Sequence, residues 1–358
     1  MSIVVAILAL CVVIILHEFG HYLAAVATGM KVDRFSVFGI GPPILKLGVW
    51  RGTEYVVSAI PFGAYVLIRG MEPEDEEDAQ ARLAQGPSAE ASVNFRDKPL
   101  WARALVLLGG PAANYVAAMV LLLGVFTVAG VRGPHEHLIV DSFGEASSGQ
   151  TAGIELGDEL IAIAGQSIEP AKGIPGVNAI TGPARGTTVE VTVRRGETLQ
   201  TIEVEIPDEG AALGIGFGTG PRYSVTLGQA AAKAVSEPIA VTGAQLSGLG
   251  GAIVGAFSGA GAPEFGGPVA IVDHIASQAK TGLIPFLTTT AFISTLLGMF
   301  NLLPMPALDG GRLAFLGYEA VARRRASARI EEYVHGYGML ALLTLIAVVT
   351  VGDFRRIF

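Results

Sequence analysis

The stretch His17-Glu18-Phe19-Gly20-His21 sets two imidazoles four residues apart with a carboxylate between them. On an α-helix, residues i and i+4 share one face, so both rings can reach a single metal ion. The glutamate is placed to take a proton from an attacking water and return it to a leaving amine. This is the residue set of metal-assisted peptide hydrolysis. The competing reading, two histidines capping a helix end and bonding to their neighbours, leaves the spacing unexplained.

The surroundings sharpen the motif. Residues 1–16 are apolar but lack a basic leading region and an A-x-A cleavage site, and the helical pattern runs on through the motif to Ala27. They therefore read as a retained spanning helix rather than a cleaved signal. Ionisable groups inside such a helix cost a few kcal/mol each unless something binds them. A metal ion accounts for that cost and for the spacing together. Hydrophobic residues make up 51% of the 358-residue chain and charged residues 16%, against roughly 25% charged in soluble domains. With a mean hydropathy of +0.53, the composition is that of a membrane protein. The net charge of −8 excludes nucleic-acid binding, which needs a basic face. The acidic run Glu72-Pro-Glu-Asp-Glu-Glu-Asp78 reads as a solvated loop. Cys11, the only cysteine, rules out an intrachain disulfide and reads as a small buried side chain.

Four segments, about 2–27, 101–130, 284–307 and 334–352, are apolar enough to cross ~30 Å of hydrocarbon. Arg96, Lys98 and Arg103 before the second, and Arg312, Arg323, Arg324, Arg325 and Arg329 between the third and fourth, assign those loops to the cytoplasm. Both termini and the 131–283 segment then lie outside, with Arg355 and Arg356 outweighed. Catalytic zinc takes three protein ligands and keeps a fourth position open, so a third ligand is needed at the depth of the histidines. His17 lies roughly 22 Å along a helix that starts outside, in its cytoplasmic half. The third span runs inward and ends in Asn301-Leu-Leu-Pro-Met-Pro-Ala-Leu-Asp309-Gly. Asp309 thus arrives at the depth of His17 and His21. In isolation an Asp-Gly pair is a turn; beside this motif it is the expected third ligand.

The elements that position these residues are partly legible. Residues 31–70 alternate in places between glycine turns and read as a short membrane-associated β-hairpin. Residues 135–208 read as a small β-rich unit. The stretch 243–267, rich in Gly, Ala and Ser, reads as a flexible or membrane-surface connector. The expected architecture is a polytopic α-helical membrane protein with one inserted β-rich domain. Residues 1–130 and 284–358 form the two halves of its core, 131–220 the inserted domain and 221–283 the connector. His135-x-His137 could form a second metal pair, but reads better as surface loop.

His-Glu-x-x-His, Gly110-Pro-Ala-Ala-Asn114 and Asn301-x-x-Pro-x-Pro-x-Leu-Asp-Gly together resemble the site-2 protease family of intramembrane zinc metalloproteases. The bacterial RseP/RasP branch is the nearer likeness. Arg34-Phe-Ser, Gly39-x-Gly41-Pro42, Gly52-Thr-Glu-Tyr, Ile60-Pro-x-Gly63, Phe95-x-x-Lys98, Gly266-Gly-Pro-Val and Asp353-Phe also match. The resemblance implies one Zn2+ held by His17, His21 and Asp309, with Glu18 as general base. It implies that Asn114 and Asn301 hold the unwound substrate backbone or polarise its carbonyl, although an asparagine such as Asn114 also bonds well across helices. It makes 31–70 a β-loop whose edge could take a substrate strand, with Gly39 and Gly41 either meeting substrate or serving turns. It makes 135–208 a PDZ domain, single where many relatives carry two, that either binds a peptide end or excludes bulky ectodomains. The implied location is the bacterial cytoplasmic membrane, with the site toward the cytoplasm and the PDZ-like domain outside. The implied partners are the lipid bilayer, a single-span membrane substrate and an upstream site-1 protease. Anti-sigma factors and remnant signal peptides are the substrates this branch suggests. A catalytically dead PDZ scaffold and a zinc transporter are the rival readings.

Overall fold

A computed structural model of the chain describes residues 2–61, 63–71, 93–132, 138–144, 147–170, 173–208, 212–218, 222–258 and 267–357. The acidic run 72–78, His135, His137 and Gly266 lie outside these. The chain divides into two compact units, one formed by Met1–Val125 with Ala231–Phe358, the other by the segment between.

In the first unit, helices α1 (Ser2–Ala27) and α2 (Leu100–Ala129) are apolar over most of their length, broken by His17, Glu18 and His21 in α1 and by Arg103 and Asn114 in α2. After α5 (Leu227–Ser258) and α6 (Pro268–Thr281) come α7 (Leu283–Leu302), α8 (Asp309–Ala322) and α9 (Ala328–Ile357); the intervening α3 and α4 belong to the second unit. Four stretches are long and apolar enough to span a bilayer: Ser2–Ala27, Leu100–Ala129, Leu283–Leu302 and Arg329–Asp353. Large apolar side chains such as Val120 and Val128 stay exposed on them, which suits lipid and not water. This is the pattern of a multi-pass membrane protein. The third span is shorter than the expected 284–307. Pro304 and Pro306 lack the N–H a helix needs, and Leu303 ahead of them is already extended at ψ 142°.

Residues 31–70 form more than the expected hairpin. Strands β1 (Val32–Phe38), β2 (Ile40–Trp50), β3 (Thr53–Ile60) and β4 (Tyr65–Ile68) make a four-stranded mixed sheet in the order β2-β3-β1-β4. Only β2 and β3 are a hairpin, closed at Arg51 (φ 49°) and Gly52 (φ 81°), the paired positive φ of a tight two-residue turn. β1 runs parallel to β3, and β4 closes the far side antiparallel to β1 as an edge strand. The sheet is welded to the helices by a core that includes Tyr22, Ala25, Phe35, Ile68, Val106 and Leu107. Tyr55 Oη donates to Tyr22 Oη at 2.8 Å across it.

The glycine-rich stretch that reads as a connector is helical through Ser258. Its glycines cost helix stability in water, but Tyr115 and Thr242, whose hydroxyls lie 2.6 Å apart, tie α5 to α2. The start of α6 is capped from another element. The buried Asp353 carboxylate, near the end of α9, accepts from the N–H groups of Gly267 and Ala270, each at 3.0 Å. Two free helix N–H groups are thereby satisfied by a charge of the favourable sign.

The second unit holds β6 (Leu138–Phe143), α3 (Ser148–Ala152), β7 (Glu159–Ile163), β8 (Gln166–Ser167), α4 (Gly173–Thr181), β9 (Thr188–Arg195), β10 (Thr198–Glu205) and β11 (Ile215–Gly218). Their sheet runs β10-β9-β7-β6-β11, with β8 on β7. Alternation puts Val189, Val191 and Val193 of β9 inside with Leu138, Leu160 and Ile163. A separate short pair, β5 (Val131–Arg132) and β12 (Arg222–Tyr223), completes the unit.

Arg195 pins the turn before β7, pairing with Asp158 and with Glu155. Arg195 grips the buried Asp158 carboxylate through Nε at 2.8 Å and Nη2 at 2.7 Å, while Glu155 N–H donates to the same carboxylate at 2.9 Å. The Arg195 guanidinium holds the Asp158 carboxyl below the usual carboxylate range, burial opposing it. A carboxyl whose folded pKa is depressed contributes stability above its unfolded pKa, about 3.9, and loses it as pH falls through the folded value. Melting of this unit is therefore expected to become acid-sensitive below about pH 4. Asp158→Asn should be less stable at neutral pH and should flatten that acid limb, as thermal melts across pH would record.

Candidate metal centre

His17 and His21 lie one turn apart on the buried face of α1, 6% and 4% exposed. Their Nε2 atoms are 3.2 Å apart. Asp309, the first residue of α8, brings Oδ2 to 3.2 Å from each of them. Donor atoms on a tetrahedral zinc ion with bonds of ~2.0–2.1 Å stand roughly 3.3 Å apart, so the three atoms have the spacing of one face of such a shell. Among the described residues this is the group of His, Cys, Asp or Glu side chains whose ligand atoms converge in this way.

The outer nitrogens are engaged from behind. His21 Nδ1 is 2.8 Å from the carbonyl of Val106. As the donor in that bond, Nδ1 carries the ring proton and leaves the Nε2 lone pair facing inward. The side-chain amide of Asn114, wholly buried, comes to 3.3 Å from His17 Nδ1, the ring nitrogen away from Asp309. The inward lone pair of His21, Nε2 of His17 and a carboxylate oxygen of Asp309 converge on one point, where a cation would hold them together. The donor set and its spacing fit zinc.

Glycines make this convergence possible. A Cβ on Gly109 would come within 2.6 Å of Gly20 O, and one on Gly20 would overlap Gly109 O, so α1 and α2 cross backbone to backbone. One residue on, a Cβ on Gly110 would overlap His21 Nε2 and stand 2.8 Å from His17 Cε1. Gly110 is the space in which the two imidazoles sit. On the opposite wall, a Cβ on Gly310 would overlap Leu303 O and one on Gly311 would overlap Met305 O. The two glycines let the loop after α7 fold back onto the start of α8. Further along α8, Glu319 receives a two-pronged grip from the buried Arg103 of α2, at 2.6 and 2.9 Å.

Glu18 lies beside the triad and accepts from Val66 N–H of β4 at 3.1 Å. A cavity opens here, lined by Glu18, Val66, Asn301 and Asp309 among others. Asn301 thus shares the cavity with the triad, its amide donating to Leu297 O of its own helix at 2.9 Å. Asn114 stands behind His17 and outside the cavity lining. Gly39 and Gly41 are also outside that lining. Gly39 (φ 85°) turns the chain from β1 to β2 where a Cβ would lie 2.7 Å from the carbonyls of Ser58 and Ile60, and Gly41 (φ 88°) faces the Ile60 side chain.

The model of peptidase family M50 matches residues 5–345 of the chain. The chain belongs to peptidase family M50. Three similar proteins are named as zinc metalloproteases. One from Agrobacterium fabrum is 31% identical, covering 98% of this chain and 95% of its own length. One from Clostridium perfringens is 30% identical, over 99% and 98%. One from Nostoc sp. is 31% identical, over 96% and 93%. This M50 peptidase is a zinc metalloprotease of the site-2 type, and zinc is its cofactor.

Sequence reasoning passed over several residues that shape the M50 site. Gly110 figured only as part of a motif, and Arg103 only as a topological charge. For His335 the available signal is a lone histidine in an apolar span.

Proposed function

We propose that the chain is an intramembrane endopeptidase that hydrolyses a peptide bond in or beside the transmembrane segment of single-span membrane proteins. The observation that carries this reading is the company Glu18 keeps. It stands within a candidate spanning helix, beside three converging metal-ligand atoms and against the main chain of a sheet edge. We assign His17, His21 and Asp309 as the zinc ligands and Glu18 as the general base.

When bound, zinc supplies Lewis acidity, polarising the substrate carbonyl and making water acidic enough to attack at neutral pH. The protein's own residues supply the rest. Glu18, held by Val66 N–H, takes the proton from the attacking water and delivers it to the departing amine. Asn301, on the cavity wall, is assigned to the substrate main chain, with an amide able to donate to a carbonyl. Asn114 is assigned to orienting His17, because its amide meets that ring and not the cavity.

A helical peptide bond is shielded from attack, so the substrate must be extended at the site. β4 is an edge strand whose neighbour on one side is β1 and whose Val66 adjoins Glu18. A substrate segment added as a further strand on that edge would bring its backbone to the triad. Charge distribution supports a cytoplasmic-facing site in the bacterial inner membrane with residues 131–220 outside, and resemblance makes those residues a PDZ-like domain that filters substrates. Anti-sigma factors and remnant signal peptides, first trimmed by another protease, are the substrates proposed by resemblance.

The test is the purified full chain in detergent, given a tagged single-span protein with and without a zinc chelator, the products mapped by mass. Chelator-sensitive cleavage in or within a few residues of the span is expected. Cleavage confined to soluble segments, or insensitive to the chelator, overturns the proposal.

A further inference from the structure

The loop between α7 and α8 carries Asp309 to the triad, and its backbone is not relaxed. Ala307, two residues before Asp309, has φ 71°, a left-handed conformation that costs an L-residue other than glycine, asparagine or aspartate roughly 1–2 kcal/mol. A strained loop holds its shape only where its surroundings over-determine it. What holds this one reaches in from α9. His335 Nδ1 accepts a hydrogen bond from Ala307 N–H at 3.0 Å. The ring packs against Phe315 of α8, centroids 5.6 Å apart. A Cβ on Gly311 would stand 3.3 Å from His335 Cε1, and one on Gly338, a turn further along α9, would overlap the Pro306 ring. The last span therefore fits against the loop at Pro306 and Ala307 and against Gly311 of α8, with His335 as its polar contact to the loop.

We infer that His335 is a positioning residue for the metal centre, holding Ala307 in its strained conformation and thereby setting Asp309 against His17 and His21. The bond also defines the histidine's chemical state. Since Nδ1 accepts, the proton sits on Nε2, which is shut away from solvent with no partner among the described residues. The acceptor is what the position requires. The inference rests on Asp309 being a zinc ligand.

Three variants separate this role from packing. Asparagine presents its Oδ1 next to Cγ, where imidazole presents Nδ1. Glutamine places its acceptor one carbon further out, and phenylalanine keeps the ring without an acceptor. His335→Phe and His335→Gln are expected to lose about tenfold to a hundredfold in kcat with little change in KM. They should also give up zinc faster to a chelator, followed by metal analysis of the full-length protein in detergent. His335→Asn is expected to restore zinc retention and to recover kcat to within about threefold. Unchanged zinc release in both Phe and Gln variants, or an Asn variant as impaired as Phe, overturns the inference. If His335→Phe fails to fold, Asn against Gln decides on the same criterion. Asp309→Ala, carried in parallel, distinguishes the two readings: zinc retained there overturns the ligand assignment, whereas zinc lost there with His335 variants unaffected overturns only the positioning role.

Discussion

Glu18→Gln is expected to bind zinc as the wild type does and to cut its substrate about 10²–10⁴-fold more slowly. The substitution is nearly isosteric and leaves the three converging atoms of His17, His21 and Asp309 untouched. It retains an oxygen for Val66 N–H, which Glu18 meets at 3.1 Å, so the edge of β4 should stay in place. What disappears is a group able to accept a proton from water and release it to an amine. The loss belongs in kcat, because Glu18 meets the reacting water and not the remote parts of the substrate. Kinetics on a tagged single-span substrate, with metal analysis of the same preparations, would record it. Undiminished cleavage would remove Glu18 from the mechanism. Cleavage lost together with zinc would make Glu18 a structural member of the metal site.

Some of this organisation can be read from residue order alone, and the reason is periodicity. His17 and His21 announce themselves because a helix has a fixed repeat, and four apolar segments do so because a bilayer has a fixed thickness. Loop charges and the helix rise together carry Asp309 to the depth of the histidines, and in the structure its Oδ2 lies 3.2 Å from Nε2 of each ring. Long-range juxtapositions carry no such periodic mark. The parallel pairing of β1 with β3 places Phe35 beside Tyr55, while β2, interrupted by Pro42 and Pro43 and exposed along most of its length, does not alternate like a half-buried strand. Asp353 caps α6 from 86 residues away at Gly267, where sequence shows two unconnected motifs. The glycine-rich stretch before it reads as a linker because glycine weakens an isolated helix; tertiary packing decides otherwise. His335 carries no local signal for its bond to Ala307, since nothing in the order of residues gives Ala307 a positive φ.

Gly110→Ala should strike the two imidazoles directly. Alanine suits an α-helix better than glycine by about 1 kcal/mol, so on propensity alone α2 would gain. The new methyl, however, would fall on His21 Nε2, 2.7 Å from His21 Cε1 and 2.8 Å from His17 Cε1. Neither ring can step aside cheaply. His21 is tethered through Nδ1 to Val106 O at 2.8 Å, and Asn114 stands behind His17. Nor can the helices part, because Gly20 and Gly109 already hold them backbone to backbone one residue away. The imidazoles must turn, and their nitrogens leave the spacing that fits a tetrahedral ion. Zinc affinity is expected to fall by about a hundredfold or more, with cleavage following it, while helix content by circular dichroism stays at the wild-type level. Gly124→Ala supplies the control, since a Cβ there meets nothing within 4 Å. It should keep zinc and activity while gaining the same helix propensity. If Gly110→Ala bound zinc as tightly as Gly124→Ala, the two imidazoles could not be the groups that hold the metal where the structure brings them together.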